Sequence, residues 1–307
     1  MKKKKILITL KNFNLKNLFF AKKVLLKKYK VIIANEDVKT DLQLINLINK
    51  NNPEYIIAGL ENYNSITLKN ASNLIGISRI GVGIDNIDTN YLKLNKIKLF
   101  ITKNKFLYIS VVEQIIGLIF FILKKINFNK INSSYKFFLP SNLLYEKNVG
   151  IIGMGKIGRL LANYLLFFGC KIFYYDPNVK IKKFQKINKI QNILKISDIV
   201  TINANFSLSY KGMVDKRFFD LCKKNVIFIN TSRGGFVNEN HLYNFLKKNK
   251  KSFAYLDVFN NEPYRGKLLK LLNFHGTDHI ASSSTESRNE IEKQSLKNIL
   301  KNEKEKY

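Results

Sequence analysis

Three glycines and an aspartate carry the first legible chemistry. Residues 150–158 read Gly-Ile-Ile-Gly-Met-Gly-Lys-Ile-Gly, so Gly153, Gly155 and Gly158 fall at the spacing G-x-G-x-x-G. That spacing alone is weak evidence, and its flanks decide. An apolar run, Val149–Ile152, precedes it as a strand would. Ile157, Leu160, Leu161, Tyr164, Leu165 and Phe168 follow with the period of an amphipathic helix. A second apolar run, Lys171–Tyr175, then ends at Asp176, where a dinucleotide fingerprint places its acid. Gly153 permits the tight turn, Gly155 lets a pyrophosphate approach the backbone, and Gly158 lets helix and strand pack closely. Free N–H groups at the helix start, around Lys156 and Ile157, then receive phosphate charge. Asp176 can accept both ribose hydroxyls and would repel a 2′-phosphate, so NAD is expected over NADP.

Scarcity singles out further residues. The 307-residue chain has a formal net charge of +31, from 47 Lys and 6 Arg against 22 acidic groups. Such an excess suggests nucleic acid or an anionic membrane. The lysines, however, are spread along the whole chain between apolar positions, and nucleic-acid readers lean on the bidentate fork of Arg. No nucleic-acid partner is expected. Where Lys is the default cation, each Arg marks a place that needs a planar fork, and Arg79 and Arg233 fall inside the motifs below. The three histidines are His241, His275 and His279. Cys170 and Cys222 lack metal-ligand spacing and read as small buried hydrophobes, so neither a metal nor a disulfide is expected and a reducing cytoplasm fits.

From Val226 to Gly235 the chain reads VIFINTSRGG. Asp257-Val258-Phe259, Glu262-Pro263 and Thr277-x-His279-Ile280 follow, with Ser283-Ser284-Thr285 behind. Upstream, Ile77–Asp88 reads ISRIGVGIDNID, and Ser110-Val111-Val112-Glu113 forms a further block. In this order the blocks resemble the D-2-hydroxyacid dehydrogenases, most of all their short-form D-3-phosphoglycerate dehydrogenase branch, over nearly the whole chain. The resemblance implies that Arg233 binds the substrate carboxylate and carbonyl oxygen. It makes His279 the general acid or base and Glu262 its partner. It gives Asp257 the nicotinamide carboxamide, adds Asn203 and Ser232 to the cofactor contacts, and turns the backbone amides around Val82 and Gly83 toward the substrate. Arg79 could be either a surface cation or a phosphate ligand. The chemistry needs such parts: hydride transfer to a carbonyl builds charge on oxygen that a fixed guanidinium stabilises, and a histidine can supply the proton.

Departures from the family pattern stand at Asp278 before His279, Ala281-Ser282 after Ile280, Asn205, and Thr102–Lys105. The resemblance implies an NAD-linked oxidoreductase acting on a small 2-hydroxy or 2-keto acid, with D-3-phosphoglycerate favoured and glyoxylate or hydroxypyruvate as the rival. It also implies a homodimer. A rival of another class is an NAD-sensing binding protein on the same fold.

These groups need α/β elements to hold them. Strand-like runs at Ile6–Leu10, Val31–Ala34, Tyr55–Ala58, Ile77–Ile80 and Leu99–Ile101 alternate with amphipathic stretches such as Leu15–Tyr29 and Asp41–Lys50, the pattern of βαβ units. A long helix is expected over Ser110–Ile126, too interrupted to span a bilayer, followed by an irregular arm from Asn127 to Glu146. The alternation then restarts, with further strands at Ile199–Asn203, Val226–Asn230 and Phe253–Asp257. A last helix from about Thr285 opens on a capping box, Ser283-x-x-Glu286. The expected fold is two doubly wound parallel-sheet domains, Rossmann-like and flavodoxin-like, with the active site in the cleft between them. Residues 1–103 plus 283–307 would form the substrate domain and 104–282 the NAD-binding domain.

Overall fold

The computed structural model describes residues 3–14, 27–126 and 141–304. The helix read over Leu15–Tyr29 and the arm read from Asn127 fall outside the described residues, apart from their last few positions. The chain divides into two compact units, residues 1–107 with 284–307, and residues 108–283.

Unit 1 holds a five-stranded parallel sheet in the order β2-β1-β3-β4-β5. Its strands are β1 (Lys4–Ile8), β2 (Tyr29–Ile33), β3 (Tyr55–Ala58), β4 (Gly76–Arg79) and β5 (Lys98–Ile101). Helices α1 (Asp41–Asn51), α2 (Ser65–Lys69) and α3 (Thr89–Leu94) lie between them. Side chains cap all three: Thr40 forms a full capping box with Gln43, Asn64 accepts from the Thr67 N–H, and Asp88 from the Tyr91 N–H. Every residue of β3 and β4 is buried, as expected of strands covered on both faces.

Helix α4 (Lys105–Leu123) leads into unit 2. It starts earlier and stops earlier than the expected Ser110–Ile126. The Asn104 side chain accepts the Leu107 N–H and nucleates the first turn, while Lys125 takes the left-handed region (φ 52°) and ends the run. By length and composition alone α4 could cross a membrane. Val112, Ile115, Ile119 and Leu123 are nonetheless buried in the core of unit 2, and Ser110 donates to the Ala281 carbonyl, which makes α4 a core helix.

Unit 2 holds seven parallel strands in the order β12-β11-β10-β9-β6-β7-β8. They are β6 (Asn148–Ile152), β7 (Lys171–Tyr175), β8 (Gln185–Lys186), β9 (Ile199–Ile202), β10 (Ile227–Asn230), β11 (Phe253–Leu256) and β12 (Phe274–Gly276). The edge strands β8 and β12 were not legible beforehand, because each is too short and too polar to form an apolar run. Helices α5 (Lys156–Phe167), α6 (Ile190–Ile196), α7 (Lys216–Leu221) and α8 (Glu239–Lys248) complete the unit. One face of the sheet packs on α4 and α5 through residues such as Ile119, Leu161 and Leu165. The other packs on α6, α7 and α8 around an aromatic knot of Phe218, Phe219, Phe228 and Phe245. Both cysteines are buried, and burial pushes Cys170 up to about 11 and Cys222 to about 12.

Helix α9 (Thr285–Lys304) belongs to unit 1, where it packs against β3, β4 and β5 and its Asn302 donates to the buried Tyr55 hydroxyl. Its cap corrects the expected box by one residue. Ser284 accepts the Ser287 N–H, so the third helical position is Ser287 rather than Glu286, and no reciprocal carboxylate closes the box.

Phe228 is 1% exposed and touches two other rings edge-on. Phe228→Ala should destabilise the protein by about 3–5 kcal/mol. Urea unfolding would read this as a lower midpoint at unchanged slope.

Candidate active site

In open α/β sheets a ligand lies outside the carboxyl ends of the strands, where the strand order reverses. In unit 2 that point falls between β6 and β9. Gly153 follows β6 with φ 93°, and a Cβ there would stand 2.6 Å from the Ala204 amide nitrogen, so only glycine lets the two loops meet. A Cβ at Gly158 would stand 2.2 Å from the Gly153 carbonyl oxygen. At Gly155 a Cβ would meet nothing within 4 Å: this is the open side of the turn. Helix α5 starts at Lys156 with no side-chain cap, which leaves the N–H groups of Lys156, Ile157 and Gly158 facing outward for an anion.

Asp176 stands at the end of β7 and accepts the Met154 N–H at 2.8 Å, so its carboxylate is tied to the glycine turn. Across the crevice Asn203 follows β9. Its Oδ1 is buried and accepts no hydrogen bond from the described residues. An empty space beside Gly155, uncapped helix N–H groups, an acid at the second strand and an orphaned acceptor at the fourth together fit a dinucleotide. Ser232 donates its hydroxyl to the Ile202 carbonyl at 2.8 Å, and its N–H to Asn230, which also holds the Arg233 carbonyl.

Strands β10, β11 and β12 bring the remaining groups to the same edge. Arg233 follows β10, and its Nη1 donates to the Ser232 carbonyl at 2.7 Å. His279 Nδ1 lies 3.0 Å from Glu262 Oε2, while Glu262 Oε1 accepts the Phe259 N–H at 2.9 Å. Burial pulls the Glu262 carboxyl upward. The hydrogen bond from His279, the Phe259 N–H and the charges of His279 and Arg233 outweigh it and hold the group below the ordinary glutamate value. Arg233, Glu262 and His279 are therefore one electrostatic cluster. With Nδ1 engaged by Glu262, Nε2 is the nitrogen left to exchange a proton.

Asp257, expected to contact the cofactor, holds its own loop as well. Its carboxylate is 1% exposed and is taken up by its own surroundings: Thr277 Oγ1 at 2.5 Å, the Ile280 N–H at 2.9 Å and the Ala281 N–H at 3.0 Å. Its carbonyl accepts the His279 N–H. His279 itself has φ 56°, a left-handed backbone that a non-glycine residue adopts only when its surroundings impose it. Behind Asp257 a relay runs from Gln114 on α4 to the Tyr255 hydroxyl and on to Thr277. Gln114 and Tyr255 carried no functional signal in the sequence, and Thr277 appeared only as part of a motif, because their roles depend on strand neighbours distant along the chain. Asp278 is exposed.

The other histidines stand apart from this cluster. His275 is on β12, edge-on to Phe121, and burial lowers its pKa. It lines a cavity of about 870 Å³ at the amino ends of the strands, with Phe121, Lys147, Ile199 and Phe253, which contains none of the expected site residues. His241 accepts the Lys216 N–H.

In unit 1, Val82 is 37% exposed beyond β4, beside Gly83. Arg79 is 5% exposed, and its guanidinium turns onto the carbonyls of Ile80 and Ala58. It supports the loop before Val82 rather than standing on the surface. Thr102 does the same, donating to the Arg79 carbonyl and accepting the Gly81 N–H.

Residues 121–281 match the family model described as the NAD binding domain of D-isomer specific 2-hydroxyacid dehydrogenases. An erythronate-4-phosphate dehydrogenase of Blochmanniella floridana is 33% identical over 241 residues, 76% of this chain and 60% of that protein. A hydroxypyruvate reductase of Thermotoga maritima is 29% identical over 293 residues, 92% of this chain and 94% of that one. A solved Thermus thermophilus protein superposes with a TM-score of 0.87 at 19% identity, covering 96% of each chain, a likeness of fold. The chain spans less than two-thirds of the length of some relatives it matches, the Blochmanniella protein among them.

The lowered Glu262 carboxyl has a stability consequence with a definite sign. A depressed folded-state value contributes stability that is present above the unfolded value and lost as pH falls through the folded one. Wild type should therefore exceed Glu262→Gln in urea stability at about pH 5.5, and the gap should close by about pH 3. A gap independent of pH would mean that the charge of Glu262 contributes nothing.

Proposed function

The chain belongs to the D-isomer specific 2-hydroxyacid dehydrogenases, and we propose that it moves a hydride between NAD and the second carbon of a small 2-hydroxy or 2-keto acid. The observation that carries this reading is the His279–Glu262 pair, with the charge of Arg233 beside it, at the strand edge that also bears the dinucleotide cradle.

The cradle would hold NAD through the N–H groups after Gly155, the carboxylate of Asp176 and the side chain of Asn203. When bound, NAD supplies or accepts the hydride. Everything else falls to the chain. Arg233 binds the acid's carboxylate and stabilises charge on the reacting oxygen. His279 gives its Nε2 proton to that oxygen in reduction and takes it back in oxidation. Glu262 accepts the Nδ1–H, which fixes the ring's orientation and leaves Nε2 toward the reacting oxygen. Asp257 positions the loop rather than touching the acid. Val82 and Gly83 offer backbone amides to the carboxylate.

Two substrates divide the class. D-3-phosphoglycerate, oxidised at the entry to serine synthesis, is favoured by the sequence resemblance and by the phosphorylated substrate in the Blochmanniella relative's name. Hydroxypyruvate is named for the Thermotoga relative, which is matched over nearly its whole length. Apart from the oxidation level at the second carbon, which the reaction itself interconverts, the two acids differ by one phosphate. A homodimer in a reducing cytoplasm completes the proposal, in keeping with two buried free thiols.

The test is NADH oxidation by purified protein with hydroxypyruvate, glyoxylate, pyruvate and 3-phosphohydroxypyruvate. His279→Ala should lower kcat/KM about 10²–10⁴-fold, the ordinary worth of a general acid. Arg233→Ala should lower it by about 10²–10³-fold. Asp176→Ala should erase the preference for NAD over NADP. NAD binding without turnover of any acid would overturn the enzyme reading in favour of an NAD-sensing binding protein.

A further inference from the structure

Four side chains of unit 2 form one row behind the loop that carries His279. Asp257 immediately follows β11, and Thr277 immediately follows β12. The Asp257 carboxylate takes the Ile280 N–H on one oxygen and the Ala281 N–H on the other. An ionised carboxylate only accepts, so its third partner, the Thr277 hydroxyl at 2.5 Å, is the donor. The single Thr277 proton is then spent. The Tyr255 hydroxyl, next in the row, has to donate to the Thr277 oxygen, and its own oxygen takes the Gln114 Nε2–H at 3.1 Å. Every proton in the row therefore points from α4 toward Asp257.

Helix α4 also reaches the loop directly, because Ser110 donates its hydroxyl to the Ala281 carbonyl at 2.8 Å. Ser110 and Gln114 are four residues apart on one helix and so share a face. That face holds residues 277–281 at both ends: Ser110 holds Ala281, and Gln114 holds Thr277 through Tyr255. His279 lies between the two, with φ 56° and its N–H on the Asp257 carbonyl at 2.9 Å. A non-glycine residue persists in that conformation only where its surroundings over-determine it.

Tyr255 is 0% exposed, and its ring lies in the core where α4 meets the sheet. A phenylalanine would fill the same space, so packing does not call for the hydroxyl. Burial raises the phenol above its ordinary value, which keeps on it the proton that it gives to Thr277. We propose that Tyr255 and Gln114 are positioning residues for His279. The row they complete holds the 277–281 loop on the left-handed path that brings the imidazole to Glu262. The proposal rests on the dehydrogenase reading for its effect on turnover, but not for its effect on the loop.

The first test needs no substrate. Amide hydrogen exchange is measured by mass spectrometry on short overlapping peptides. Tyr255→Phe, Gln114→Leu and Thr277→Val should each speed exchange at residues 279–281 by about tenfold, the worth of one hydrogen bond, while β6 and β9 keep the wild-type rate. The second test is kcat with an acid that wild type reduces. The same variants should lower it by about tenfold, with the KM for the acid little changed, because a displaced proton donor costs rate rather than binding. Thr277→Ser, which keeps the hydroxyl, should restore the rate. On a His279→Ala background Tyr255→Phe should cost nothing further, since the loop then carries no imidazole to place. Unchanged exchange at 279–281, exchange accelerated throughout unit 2, an unchanged kcat, or a loss that persists on the His279→Ala background overturns the assignment. If wild type reduces no acid, the dehydrogenase reading fails separately. Exchange at 279–281 then decides alone: faster in the variants, the row holds the loop, and unchanged, it does not.

Discussion

A buried carboxylate at the end of β11 is the constraint on which the chemistry of unit 2 depends. Asp257 is withdrawn from solvent, and burial raises its pKa, so its charge carries a desolvation cost. The Thr277 hydroxyl and the N–H groups of Ile280 and Ala281 offset that cost. These partners are successive parts of one loop, so satisfying the carboxylate also fixes the loop's path. His279 lies within that path, held in a left-handed backbone with its N–H on the Asp257 carbonyl. The ring then meets Glu262 because the chain around it has no alternative course. The relay through Tyr255 and Gln114 extends this rigidity to α4.

Both units place an internal carboxylate at the carboxyl edge of a parallel sheet, with opposite consequences. Asp257 is sealed in and acts on the backbone. Glu61 is half-exposed, with one oxygen saturated by donors and the other open. The first determines where a catalytic group sits, and the second ties together the loops that follow β1 and β3.

The large positive charge plays little part in these arrangements. Lysines dominate the exposed positions, whereas the groups that bind or position charge are two arginines, four carboxylates (Glu61, Asp176, Asp257 and Glu262) and a histidine. Arg79 and Arg233 each direct a guanidinium nitrogen onto a neighbouring backbone carbonyl, Ile80 and Ser232 respectively.

Most of the unit 2 site was legible in the chain because it is local. Gly153, Gly155, Gly158 and Asp176 sit on one βαβ unit whose apolar period switches from strand to helix, and steric rules for a close approach demand glycine at fixed offsets. The alternation of apolar runs likewise implied parallel sheets before any coordinates. What tertiary structure alone decided is long-range. The edge strands β8 and β12 exist only because a neighbour offers them hydrogen bonds, and the cap of α9 settled on Ser284 when the helix docked. That Asp257 holds its own loop was not legible in its motif, since burial depends on what folds over it. Glu61 carried no signal at all. Thr9 and Glu61 are far apart in the chain, and only the pairing of β1 with β3 converges their loops on one carboxylate oxygen.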